Sequence, residues 1–176
     1  VQYAFIGPLV GALARPFGGW LADKLGGAKI TQMVFIGMMI AVAGVIHFLP
    51  DHGVGGSFWG FFACFLALFA LTGIGNGSTF MQVPVIFLNM HQKFAEQGQV
   101  SREQAIQNAT KEGAAVLGFT AAFAAYGGFF IPKSYGTSIE LTGGVTAALV
   151  GFILFYATCV ALNWWFYARK NAEAKC

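Results

Sequence analysis

GPLVGALARPFGGWLADKLGG, running from Gly7 to Gly27, decides how the rest of the chain is read. From Gly7 to Leu21 it carries nothing polar except Arg15. With the residues from Tyr3 onward it forms a run close to the ~20 apolar residues a membrane-crossing helix needs. Arg15 then sits mid-span, where a cation costs at least ~2.5–3.5 kcal/mol on insertion scales. Gly7, Gly11, Arg15 and Gly18 or Gly19 follow one another at helical i, i+4 spacing. The guanidinium therefore emerges from a stripe almost free of side chains, which can face a cavity or a neighbouring helix. Pro16 leaves the Ala12 carbonyl without its helical partner and bends the helix beside the charge.

The remainder has the same character. The chain is 57% hydrophobic and only 10% charged, with a mean hydropathy of +0.66, a balance that excludes a soluble enzyme with a charged surface. Twenty-four glycines suit close packing of membrane helices. Further apolar runs extend from Ile30 to Leu49, Ser57 to Leu88, Gly113 to Pro132 and Gly144 to Tyr167, giving five expected spans. The third is too long for one straight crossing and has no central break, so it reads as a single helix kinked or extended near Pro84. The polar segment Asn89 to Glu112 reads as a helical cytoplasmic connector whose mixed charges solvate it.

Basic residues set the orientation, because short cytoplasmic loops retain them. Lys24 and Lys29 follow span one, Lys93, Arg102 and Lys111 follow span three, and Arg169, Lys170 and Lys175 follow span five. The opposite turns carry Asp51 and His52, and Lys133 with Glu140. The C-terminus is therefore expected in the cytoplasm. Five spans put Val1 outside, so a preceding helix is expected in the parent, and the chain is not expected to fold alone. Cys64, Cys159 and Cys176 form no CxxC pair and have no histidine at ligand spacing, so no metal or cofactor is expected. No nucleophile, base and orienter stand together as an enzyme would need.

The acidic residues Asp23, Asp51, Glu96, Glu103, Glu112, Glu140 and Glu173 all fall outside the apolar runs, so no span offers Arg15 a counter-ion. Arg15 then pairs with a carboxylate on another helix, snorkels, or meets an anionic substrate, and the acid-free spans favour the substrate. A guanidinium fork binds small planar oxyanions two oxygens at a time, which fits nitrate, nitrite, carboxylates and phosphates. Intramembrane Asp, Glu or His would mark a proton relay. His47, His52 and His91 all lie away from the midplane, which favours anion exchange over proton coupling.

Three further signals accompany Arg15. Gly19-Trp20-Leu21-Ala22-Asp23-Lys24-Leu25-Gly26 resembles a G-x-x-x-D-R/K-x-G gating loop, in which Asp23 can cap a helix N-terminus and pair with a cation. Gly118 to Lys133 has small residues on nearly every side, as tight packing or a sliding helix requires. Gly73, Gly75, Asn76, Gly77, Ser78, Thr79 and Gln82 form an uncharged polar cluster inside span three, suited to interhelical hydrogen bonds or to substrate.

GALARPFGGWLADKLGG, GIGNGSTF and GFTAAFAAYGGFFIPK together resemble the nitrate/nitrite porter family (NarK/NarU type) of the major facilitator superfamily, over essentially the whole chain. The resemblance implies an all-α integral membrane fold. Residues 1–176 would be helices eight to twelve of twelve, a C-terminal bundle lacking the first helix of its half. It implies nitrate/nitrite exchange by alternating access in a bacterial inner membrane, with lipid and the N-terminal half of the same transporter as partners and no nucleic acid. Arg15 would be a substrate arginine, with a second in the absent half. Gly118 and Thr120 would lie at the substrate, Gly7, Gly11, Gly127 and Gly128 would be signature or packing positions, and Gly19, Asp23, Lys24 and Gly26 would gate. Ala121 departs from the family, where a serine can stand nearby. Proton-coupled symport, or a non-transporting anchor subunit of a respiratory enzyme, are the competing readings. The anchor would show midplane histidines for haem.

Overall fold

Helix is the one open structure in which a lipid-bathed segment satisfies its own backbone. The computed structural model describes residues 3, 5–50 and 55–169, and among these it contains only helices and turns. Five long helices follow one another: α1 (Ile6–Leu25), α2 (Gly27–Phe48), α3 (Phe58–Glu96), α4 (Arg102–Thr142) and α5 (Thr146–Asn163). A π-helical turn, Trp164–Ala168, ends the described chain. Asp51 and His52, and Lys170, Glu173, Lys175 and Cys176, lie outside the described residues.

Four elements are long and apolar enough to cross a membrane: α2, α3, α4, and α5 with its π-helical turn. The protein is thus an all-helical, multi-pass membrane protein. α1 is the fifth expected span, but Arg15, two prolines and its glycines dilute its apolar character below that of the others. α3 is one continuous helix of 39 residues that runs through Pro84, as its uninterrupted apolar run predicts.

Three boundaries differ from the sequence-based expectation. The polar connector is not a separate helix: Asn89 to Glu96 continue α3, residues 97–101 turn, and Arg102 to Glu112 begin α4. A reciprocal cap sets that start, the Ser101 hydroxyl accepting the Gln104 N–H at 3.2 Å while the Gln104 side chain accepts the Ser101 N–H at 3.3 Å. Pro132 does not end α4, so Lys133 and Glu140 are helical, and the turn comes at Gly143 with φ 75°. The helix persists because Ser138 ties its end to α5, donating to the Gly144 carbonyl at 2.6 Å and accepting the Ala148 N–H at 3.2 Å. The expected gating loop is mostly helix as well. Gly19, Asp23 and Lys24 belong to α1, and Gly26 alone, at φ 93°, reverses the chain into α2.

α2 is the central element. Its Ile30, Val34 and Met38 are buried against Leu21 of α1, Leu68, Leu71 and Ile74 of α3 and Tyr156 of α5. Val42 and Val45 extend that core with Leu149. α4 is the most detached helix. It is buried at Ala105, Ala109 and Gly113 near one end and at Ser138 near the other, while from Ala114 to Lys133 only Leu117 and Gly127 are even partly covered.

Candidate functional site

α1 and α3 meet at a seam of backbone on backbone. Gly7 lies against the Phe69 ring, a Cβ on Gly73 would overlap the Gly11 carbonyl, and a Cβ on Gly77 would overlap the Arg15 carbonyl. Four residues on in α1 correspond to four residues on in α3, so the two helices run parallel. The glycine stripe around Arg15 therefore faces a neighbouring helix. Close approach is its physical reason, since any side chain on the facing strip would hold the backbones apart. Gly18 is buried the same way, against the Ile74 backbone.

Arg15 itself is exposed, its side chain leaving α1 beside the seam. Among the described residues the one contact between a basic and an acidic side chain at salt-bridge distance is His91 Nε2 with Glu112 Oε2, at 2.9 Å between α3 and α4. No described carboxylate pairs with Arg15. Asp23 is likewise exposed and makes no hydrogen bond or ion pair to a described residue, while the Lys24 ammonium sits 4.1 Å from the Trp20 ring centre.

The polar cluster of α3 divides into two sets with different surroundings. Ser78, fully buried, donates to the Gly27 carbonyl at 3.0 Å and shares a 3.0 Å hydrogen bond with the Thr31 hydroxyl, which also donates to Gln82 Oε1 at 3.4 Å. These side chains pin α3 to α2. Asn76 and Thr79 instead line a crevice of about 260 Å³ between α2, α3 and α4, together with Thr31, Thr72, Thr120 and Ala121. Its hydroxyls are already committed: Thr72 donates to the Leu68 carbonyl, Thr79 to Gly75 at 2.8 Å and Thr120 to Val116 at 2.7 Å. Asn76 makes no hydrogen bond to any described residue.

Thr120 and Ala121 thus lie on the crevice wall, whereas a Cβ on Gly118 or Gly128 would meet nothing within 4 Å, and one on Gly127 only Ile131 of its own helix. Arg15 is not among the crevice residues. A larger cavity of about 480 Å³ is walled by Phe61, Phe65, Phe69, Leu149, Phe152 and Tyr156 and offers little to a charged solute. A second polar tie is invisible to motif reading: Asn163 of α5 donates to the Ala28 carbonyl at 2.9 Å and to Gln32 Oε1 at 2.7 Å. The only sequence signal for it is an asparagine between Leu162 and Trp164 at the end of an apolar run.

The described residues thus form a helical, multi-pass membrane bundle in which an exposed arginine, without a carboxylate partner among them, stands beside a glycine seam. No family model matches the chain. It is 45% identical over 173 residues to the nitrate/nitrite transporter NarU of Salmonella typhimurium, a match covering 98% of this chain and 37% of that protein. The nitrate/nitrite transporter NarU of Escherichia coli is 42% identical over 99% of this chain and 38% of its own length. A Thermus thermophilus protein named "Probable nitrate/nitrite antiporter NarK2" is 37% identical over 100% of this chain and 35% of its own length. The chain is a homologue, from end to end, of the NarU/NarK nitrate/nitrite transporters, and it spans a little over a third of their length.

Proposed function

We propose that residues 1–176 form the C-terminal bundle of a nitrate/nitrite transporter that exchanges one anion for the other by alternating access. Arg15 is the observation that carries this: a permanent cation in a mid-span helix, without a carboxylate partner among the described residues. Its planar fork matches nitrate or nitrite two oxygens at a time. A sequence outside this chain supplies the opposing half of the site, including a second arginine, and the halves rock around the bound anion.

The seam gives α1 and α3 a common rigid backbone, so Arg15 moves with both. Gly26 is the hinge between α1 and α2, with Gly19, Asp23 and Lys24 in the C-terminal part of α1 as the cytoplasmic gate. The small-residue stretch of α4 from Gly118 to Gly128, with Thr120 and Gly127, is largely exposed and is the segment that meets the other half and the anion. The transporter is no enzyme. It resides in a bacterial inner membrane with its C-terminus in the cytoplasm, as the basic residues near Lys24, Lys93, Arg102 and Arg169 require.

The test is nitrate counterflow into nitrite-loaded proteoliposomes carrying the full-length parent, at equal pH on both sides. Entry that needs internal nitrite and vanishes in Arg15→Lys is the expected result. Entry that depends on an inward proton gradient replaces exchange with symport, and full activity in the Arg15→Lys protein removes the arginine from the mechanism.

A further inference from the structure

We infer that the Asn76 carboxamide is a second contact for the oxyanion held by Arg15, donating to an oxygen that the guanidinium fork leaves free. This rests on the transport reading above and names a specificity-determining residue within it.

Position carries the first part of the argument. Around α1, Leu21 packs on α2 and Gly18 on α3. Arg15 comes next, each step of three residues turning about 60° further round the helix. Around α3, Ser78 bonds to α2 and Gly77 abuts α1. Asn76 follows, each step of one residue turning about 100°. Both side chains therefore leave the α1–α3 seam on the same side of it, Arg15 from α1 and Asn76 at the edge of the crevice that α3 forms with α2 and α4. They also share a level, because the carbonyl of Arg15 lies against Gly77, the residue after Asn76.

Chemistry carries the second part. The nearby hydroxyls of Thr72, Thr79 and Thr120 spend their protons on the carbonyls one turn back. Asn76 is the polar side chain on that wall with both N–H donors free of described partners. An amide in a membrane interior is costly without a hydrogen bond, and a neutral donor beside a guanidinium completes an anion site without competing for the anion. Nitrate has a third oxygen to offer such a donor once the fork has taken two. Nitrite must offer a second lone pair on an oxygen the fork already holds, so Asn76 favours nitrate.

The test uses the full-length parent with Asn76→Leu, branched alike but without donors, and Asn76→Asp, close in shape but negatively charged. Nitrate and nitrite dissociation constants are measured by calorimetry in detergent, after gel filtration and thermal unfolding show a wild-type fold. Asn76→Leu is expected to weaken nitrate about tenfold, the size of a lost hydrogen bond to a charged group, with nitrite changed far less. Asn76→Asp is expected to abolish binding of both anions, and it serves alone if the leucine variant does not fold. Nitrate affinity within about twofold of wild type in either folded variant overturns the inference, as does an equal loss for both anions with Asn76→Leu. A wild-type parent that binds neither anion instead overturns the transport reading itself.

Discussion

The carbonyl of Gly11 lies directly against the α-carbon of Gly73, with no room for a methyl group between α1 and α3. Gly73→Ala in the parent must therefore push two backbones apart, and overpacking of this kind costs about 1–3 kcal/mol. Thermal unfolding in detergent should show a clearly lowered midpoint. Gly128→Ala, where a Cβ meets open space within this chain, should show no comparable loss.

Ser78→Ala removes the donor to the Gly27 carbonyl and the partner of Thr31 at a fully buried position. Hydrogen bonds between membrane helices average about 0.6 kcal/mol, and the two that Ser78 makes raise the cost toward about 1 kcal/mol. A shift of that size in reversible unfolding is expected, and a neutral Ser78→Ala would show that the network does not fasten α2 to α3.

Asn163→Leu keeps the branching of the side chain and deletes both bonds to α2. Because these tie the end of α5 to the first turns of α2, hydrogen exchange of α5 amides should accelerate more than that of α3. Uniform acceleration across all helices would contradict a local fastening role.

His91 is buried while its partner Glu112 is half exposed, so solvent screens the pair. A double-mutant cycle with His91→Ala and Glu112→Ala should return a coupling below about 1 kcal/mol that shrinks with added salt. A larger, salt-independent coupling would mean that the pair is shielded by protein outside this chain.

The turn of residues 97–101 between α3 and α4 is placed in the cytoplasm by the orientation proposed above. A cysteine replacing Gln97, which is exposed, should react with an impermeant thiol reagent in inside-out vesicles and resist it in intact cells. The reverse pattern would invert the topology.

Helix class, the long α3 through Pro84 and the isolation of Arg15 were all legible in the chain, because each follows from local apolar length and charge spacing. The ends were less legible. Lys133 and Glu140 look like turn residues by polarity, yet they are helical because Ser138 is anchored to α5 in three dimensions. Gly19 to Gly26 looks like a loop by motif, yet helix continues to Leu25 and a single glycine makes the reversal.

By itself the sequence determined that this is a membrane bundle with one mid-span cation and no apolar-run carboxylate to answer it, because insertion energetics depend on composition along each segment. Only the tertiary structure decided what each polar or small residue does. The glycines beside Arg15 admit a parallel helix, Ser78 and Gln82 bind α2, and Asn76 turns to the crevice that α4 closes. Adjacent residues on a helix point about 100° apart, so their fates separate only when the neighbours around that helix are known.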